Sequence, residues 1–342
     1  MMSKVDILVD LQFGSTGKGA IAGYLAVTRP YDTVVSANRP NAGHTFIDAK
    51  GHKMIHKVLP NGVVGASVRT VLIGAGAVFS VEQLLREIDR LDKFGYNNFG
   101  VYIHEAAVVL TDEHKSGEKE YSRIGSTQQG AAQAVIAKMD RDPGNDPTIK
   151  HVEINHPRII VVSPNEYHNK LLLANKILAE GAQGYSLGID AGFWPYCTSR
   201  NCTVNSFMSD MGIPHTMLNT VIGACRTYPI RVAGTSGPHY HDQEELDWED
   251  VGVEPEKTTV TQRVRRVFTF SIQQITEAIR ANQCDEVFLN FCNYLDPTEV
   301  GAITAEINGA LEDHTQGGWV RYFGNGPTVN DIIDLASEQD YA

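Results

Sequence analysis

Apolar residues cluster along this chain in short runs, rich in Val, Ile and Leu, at residues 5–11, 33–37, 70–73, 101–110, 158–162, 218–225 and 286–291. Runs of this length, without a polar residue at every second position, predict strands buried on both faces, as in a parallel sheet covered by helices. Between them the period changes. Val81, Leu84, Leu85, Ile88 and Leu91 recur at helical spacing, and Ser80 followed by Gln83 has the spacing of a capping box at the start of that helix. A second helix is predicted over 271–281, where Ile272, Ile275 and Ile279 share one face just before the strand at 286. A third, over 20–27, follows the first strand after a glycine-rich turn. This alternation predicts an α/β fold with a mainly parallel central sheet covered by helices. The segments 141–147 and 234–256, rich in Pro, Gly, Asp and Glu, read as surface loops or small excursions, not linkers. With no internal repeat, residues 1–342 are expected to form one domain.

Composition narrows the possible partners. With 29 Lys and Arg against 41 Asp and Glu, the net charge is −12, which opposes binding to a polyanion. Nucleic acid is not expected as a partner, although a few placed cations can still hold one nucleotide. The five cysteines are odd in number, form no CxxC pair and have no His cluster at zinc-ligand spacing, so they read as reduced cytoplasmic thiols. No apolar run reaches bilayer length and no signal-peptide pattern opens the sequence, so membrane insertion and export are not expected.

Candidate chemistry concentrates at the first glycine-rich turn. The strand at 5–11 runs into Gln12-Phe13-Gly14-Ser15-Thr16-Gly17-Lys18-Gly19 and then into the helical segment. Strand, glycine loop and helix in this order suit a phosphate: amides can approach its oxygens, the helix N-terminus adds positive potential, and Lys18 adds a point charge. The loop is not a Walker A motif, because Gly14 is too close to Gly17 and Gly19 replaces the Ser or Thr after the lysine. Taken alone it serves phosphate binding or an ordinary strand-to-helix turn. The segment Asn41-Ala42-Gly43-His44-Thr45 supplies a histidine that in isolation would read as structural.

Together, these two segments resemble the adenylosuccinate synthetase family, whose loop usually reads Gln-Trp-Gly-Asp-Glu-Gly-Lys-Gly and whose second motif is Asn-Ala-Gly-His-Thr. The resemblance continues in order along the chain. It includes Ile124-Gly125-Ser126-Thr127, Glu180-Gly181-Ala182-Gln183-Gly184, Trp194-Pro195-Tyr196-Cys197-Thr198-Ser199 and Tyr228-Pro229-Ile230-Arg231-Val232. It also includes the arginine-rich stretch from Thr259 to Arg266, and Gly324-Asn325-Gly326-Pro327.

The resemblance implies a P-loop-like α/β fold and a two-step ligase. A nucleoside triphosphate phosphorylates O6 of a 6-oxopurine nucleotide, and the amine of L-aspartate displaces that phosphate. The implied roles are these. Lys18, with the loop residues Gly14, Thr16, Gly17 and Gly19, stabilises the transferring phosphoryl group, and His44 donates to the triphosphate. Thr45, Asn293, Gly326 and Pro327 complete the ATP site. Gly43 offers its carbonyl to Mg²⁺, beside Ser15. Asn41, Thr127, Gln183 and Thr198 hold the purine nucleotide; Thr259, Val260, Thr261, Arg263 and Arg265 hold aspartate. Arg141 falls at the spacing of an arginine that crosses to the neighbouring subunit's nucleotide, which implies a homodimer.

Two departures from the family pattern carry the substrate reading. Ser15 stands where the family has the aspartate that takes the purine N1 proton, and a hydroxyl cannot be a resident base there. A shorter serine makes room for a 2-amino group next to N1 and can accept a hydrogen bond from it, so the substrate becomes a guanine nucleotide. The same wording marks the viral branch of the family, which works on dGMP. Phe291 and Asn293 replace the lysine and aspartate that read guanine in the phosphate donor, and an amide can pair with adenine, so ATP or dATP becomes the donor. The alternatives are an ordinary synthetase using IMP and GTP, and a catalytically silent nucleotide-binding protein.

Overall fold

A computed structural model describes residues 3–118, 127–258 and 262–339. Ten strands form the central sheet, numbered here along the chain: β1 Lys4–Asp10, β2 Thr33–Ser36, β3 Thr70–Ile73, β4 Gly100–His104, β5 Ile159–Val162, β6 Lys176–Glu180, β7 Leu218–Arg226, β8 Glu286–Asn290, β9 Trp319–Gly324 and β10 Ile332–Asp334. Their spatial order is β10-β9-β8-β7-β1-β6-β2-β3-β4-β5. Every pairing is parallel except β9 with β10. β1 lies at the centre, and from Val5 to Asp10 it is buried at every position, which is why its sequence lacks alternation.

Helices cover the sheet. α1, Lys18–Thr28, buries Ile21, Ala22, Leu25 and Ala26 against it. α2, Val81–Lys93, begins where Ser80 accepts from the Gln83 amide and turns Leu84, Ile88 and Leu91 inward. Each of these three buried side chains contributes about 1.5–3 kcal/mol of transfer free energy. The helix at Ile272–Asn282 forms as expected, starting one residue later.

One expectation needs correction. The run at 101–110 is not one strand: β4 ends at His104, the chain turns with the Ala107 amide on the His104 carbonyl, and Val108–Val109 pairs with Val78–Phe79 outside the central sheet. The polar pair His104-Glu105 supplies the break. Of the two readings of the segment 234–256, surface loop or small excursion, the structure shows the excursion. It contributes the strand Glu245–Leu246, and Trp248 and Val251 pack on Ile230 and Val267 in a small core of their own. β6, β9 and β10 were not expected: Lys-Ile-Leu-Ala-Glu holds three apolar residues between two charges, Trp-Val-Arg-Tyr-Phe-Gly carries an arginine within it, and Ile-Ile-Asp is shorter still. Among the described residues no helix is long and apolar enough to cross a membrane, and all five cysteines are free.

Candidate active site

In a parallel sheet the carboxyl ends of the strands open onto one edge, where ligands bind. Here that edge gathers the loop after β1, the 37–45 segment after β2, the 180–184 turn after β6, Arg226 at the end of β7 and Asn290 at the end of β8.

The loop at 12–19 is organised by Asp10, a fully buried carboxylate in an apolar strand. Its Oδ1 accepts from the Gln12 and Gly14 amides at 2.9 and 3.1 Å, and its Oδ2 accepts from Thr16 Oγ1 at 2.6 Å and Lys18 Nζ at 2.8 Å. Both oxygens are therefore committed, and the paired Lys18 offsets the cost of burying the charge. Lys18 also donates to the Gln183 carbonyl at 3.0 Å. An ammonium has three donors, so one remains for a ligand. Gly17 leads into α1 at φ 92°, and a Cβ there would stand 2.0 Å from Asn290 Nδ2, so only glycine fits. The first-turn amides at Lys18 and Gly19 have no acceptor within the helix.

Ser15 sits exposed at the loop tip with φ 58°. Its carbonyl accepts from Arg226 Nη1 at 3.1 Å. Arg226 is fully buried, stacks 3.8 Å over the Phe291 ring and pairs through both its terminal nitrogens with Glu256. Glu256 begins the arm that returns at Arg265, whose amide donates to the Glu256 carbonyl at 2.8 Å. Arg263 is exposed, with its amide on Thr258 Oγ1. Arg265 has its pKa lowered, chiefly by burial. Thr259, Val260 and Thr261, like Ile124, Gly125 and Ser126, lie outside the described residues.

His44 opens the hairpin formed by His44–Ile47 and Lys53–His56. Its Nδ1 meets Glu180 Oε1 at 2.5 Å, and Glu180 Oε2 accepts from the Asn61 amide at 2.6 Å. Both side chains are almost fully buried. The carboxylate fixes the ring and leaves Nε2 for a ligand, the arrangement that stabilises an imidazolium when the histidine gives or takes a proton. Glu180 had no role in the sequence reading, although it opens a recognised motif. Asp10 was missed as well, and a carboxylate at the carboxyl end of an apolar strand, next to the glycine loop, was the available signal. Gly43 and Thr45 are exposed on either side of His44.

The residues expected to hold the purine nucleotide converge in part. Asn41 Nδ2 donates to Thr198 Oγ1 at 3.3 Å. Asn41 Oδ1 and Gln183 Oε1 are buried without a partner, as expected of groups that await a ligand. Thr127 is half-buried, ahead of the helix Ala131–Asp140. Arg141 closes that helix at φ 53° and is exposed. It lines a groove with Lys138, Asp142 and Asp146 that includes none of residues 12–19 or 41–45. Asn293, in the turn Cys292–Tyr294 after β8, and Pro327, after β9, are exposed on adjacent strand ends, with Gly326 half-buried beside Pro327.

The model of the adenylosuccinate synthetase family matches residues 7–146 and 148–314. The chain belongs to the adenylosuccinate synthetase family. Among its relatives is the N6-succino-2-amino-2'-deoxyadenylate synthase of Vibrio phage phiVC8, 50% identical over 97% of this chain and 98% of that protein. The synthase of the same name from Salmonella phage PMBT28 is 42% identical over 96% and 97%. The solved structure of the cyanophage S-2L succinoaminodeoxyadenylate synthetase, bound to dGMP and dATP as an energy donor, aligns with a TM-score of 0.89 at 37% identity, covering 100% of this chain and 98% of that one. The adenylosuccinate synthetase fold thus accounts for the P-loop-like arrangement of sheet and helices.

Proposed function

We propose that this chain is a ligase that joins dGMP and L-aspartate. It would use ATP or dATP to give N6-succino-2-amino-2'-deoxyadenylate, the nucleoside diphosphate and phosphate, for 2-aminoadenine DNA synthesis. The observation that carries this reading is Ser15 in a loop whose organising carboxylate, Asp10, is occupied on both oxygens. Without a resident base, and with an exposed hydroxyl at the tip, the loop suits a purine bearing a 2-amino group. The phage relatives and the dGMP-bound cyanophage structure support it, and the deoxyribose preference rests on that kinship.

In the first step the purine O6 attacks the γ-phosphorus, the N1 proton passes to water or to the transferring phosphate, and the nucleoside diphosphate leaves; in the second the aspartate amine attacks C6, expels that phosphate and releases its proton to water. The free donor of Lys18 and the first-turn amides of α1 offset charge on the transferring group, and Glu180 holds His44 so that Nε2 can donate to it. Arg263 and Arg265 present guanidinium forks to the aspartate carboxylates. The Gly43 carbonyl and Ser15 hydroxyl are neutral oxygens, a donor set that fits Mg²⁺, which keeps several waters and shares phosphate oxygens. Among the described residues no cluster of three acidic, His or Cys side chains offers a denser site. When bound, the ion would neutralise triphosphate charge. Asn293 and residues 326–327 frame the adenine, and the exposed Arg141 serves the partner's nucleotide in a homodimer of single-domain subunits.

The test is incubation with dGMP or IMP, aspartate, Mg²⁺ and ATP, dATP or GTP, with products identified by mass. N6-succino-2-amino-2'-deoxyadenylate, formed from dGMP with an adenine donor, is expected. Turnover of IMP with GTP and none of dGMP would sink the proposal.

A further inference from the structure

Behind the Asn41–Thr198 contact lies a group of cations, two arginines buried and a lysine half-buried, that the roles above do not use. Arg39, 7% exposed, donates through Nη1 to the Ser199 carbonyl at 2.9 Å and to Ser199 Oγ at 3.3 Å. Arg200, 5% exposed, reaches back through Nη1 to the Ala37 carbonyl at 2.8 Å and pairs through Nη2 with Asp210. Each arginine thus grips the segment that carries the other, and the two segments are those that bring Asn41 against Thr198. Lys138 joins from the helix Ala131–Asp140, donating to the Ala75 and Ala106 carbonyls at 2.8 and 2.6 Å.

The charges do not balance. Arg39, Arg200 and Lys138 surround Asp210, whose carboxylate Arg200 already holds. Asp146, which also acts on Lys138, is paired with Lys150 at 2.7 Å. Burial, with Arg200 next, pushes the Arg39 pKa down to about 10. Buried cations in excess of their carboxylates raise the free energy of the empty fold and favour an anion that restores neutrality. The cluster lies at the carboxyl ends of β2, β3 and β4, on the ligand edge of the sheet. The unpartnered Arg39 Nε and Asn41 Oδ1 are further buried polar atoms there.

We infer that Arg39, backed by Arg200 and Lys138, is the subunit's own counter-charge for the 5'-phosphate of its purine nucleotide. The inference rests on the proposed function for the identity of that nucleotide. Arg39 would also hold the Thr198–Ser199 segment in place, so the charge role has to be separated from the positioning role.

Calorimetry with the full chain does this by comparing dGMP with deoxyguanosine, the latter measured by competition, in wild type, Arg39→Met, Arg39→Lys and Arg200→Met, with melting curves as a check on folding. In Arg39→Met the dGMP affinity is expected to fall about tenfold or more while that of deoxyguanosine holds. Arg39→Lys, which keeps the charge, should recover most of the loss. Added salt should weaken dGMP binding to wild type more than to Arg39→Met. An unchanged ratio of dGMP to deoxyguanosine affinity in both methionine variants would overturn the inference, whether both ligands weaken together or neither does. Should wild type ignore dGMP but bind IMP with the same dependence on Arg39, the guanine reading would fail and the phosphate assignment would stand.

Discussion

On the proposed function, two single side chains, Ser15 and Glu180, set the chemistry. Placing a carboxylate at the loop tip in Ser15→Asp supplies a base and occupies the space proposed for the 2-amino group. The ratio of IMP to dGMP turnover should therefore rise by about tenfold or more; loss of both activities in a folded variant would remove support for the substrate argument. Glu180→Gln keeps the size of the side chain and removes the charge that steadies His44. By analogy with other carboxylate–histidine pairs, kcat should fall about a hundredfold or more while dGMP affinity changes little. Single-turnover phosphate release, with calorimetry for binding, separates the two. The serine was legible in the sequence because it breaks an otherwise continuous family pattern. The glutamate was not, since its role comes from the approach of β6 to a hairpin more than a hundred residues earlier, a contact that no local spacing announces.

At the level of elements, the His44 hairpin places His56 directly across from His44, fully buried. Burial, with His44 adding to it, pushes the His56 pKa down to about 3. A histidine that titrates lower in the fold than in the unfolded chain contributes stability that is complete above about pH 6.5 and is lost as pH falls toward 3. Of the loss between pH 6.5 and 5, about 2 kcal/mol is assigned to this group. Urea unfolding at both pH values should show that share missing in His56→Leu, and an equal slope in the variant would refute the assignment. The long apolar runs disclosed the buried strands because a parallel strand covered on both faces cannot hide its composition. β6 and β9 escaped, although β6 sits next to the central strand, because their burial is decided by neighbours and not by their own few apolar residues.

At the scale of the whole molecule, the proposed dimer has a direct consequence. If Arg141 of one subunit completes the site that holds the partner's Lys18, then Arg141→Ala and Lys18→Ala should each be nearly inactive alone. Mixed and allowed to exchange, they should recover about a quarter of wild-type activity, since half the dimers are mixed and each mixed dimer has one intact site. Activity of the mixture set against size-exclusion profiles tests this, and no recovery despite exchange would place Arg141 outside the site. Arg226 links the sites within each subunit. It holds the Ser15 carbonyl, stacks on Phe291 beside the expected adenine site and binds Glu256 at the root of the aspartate arm. Restoring a lysine at 291 to recover a guanine donor would set a second cation against that guanidinium and loosen its hold on the loop tip. On the proposed roles of Ser15 and Asn293, the choice of phosphate donor and the choice of purine acceptor would be wired through one side chain, so a change made for one is expected to disturb the other.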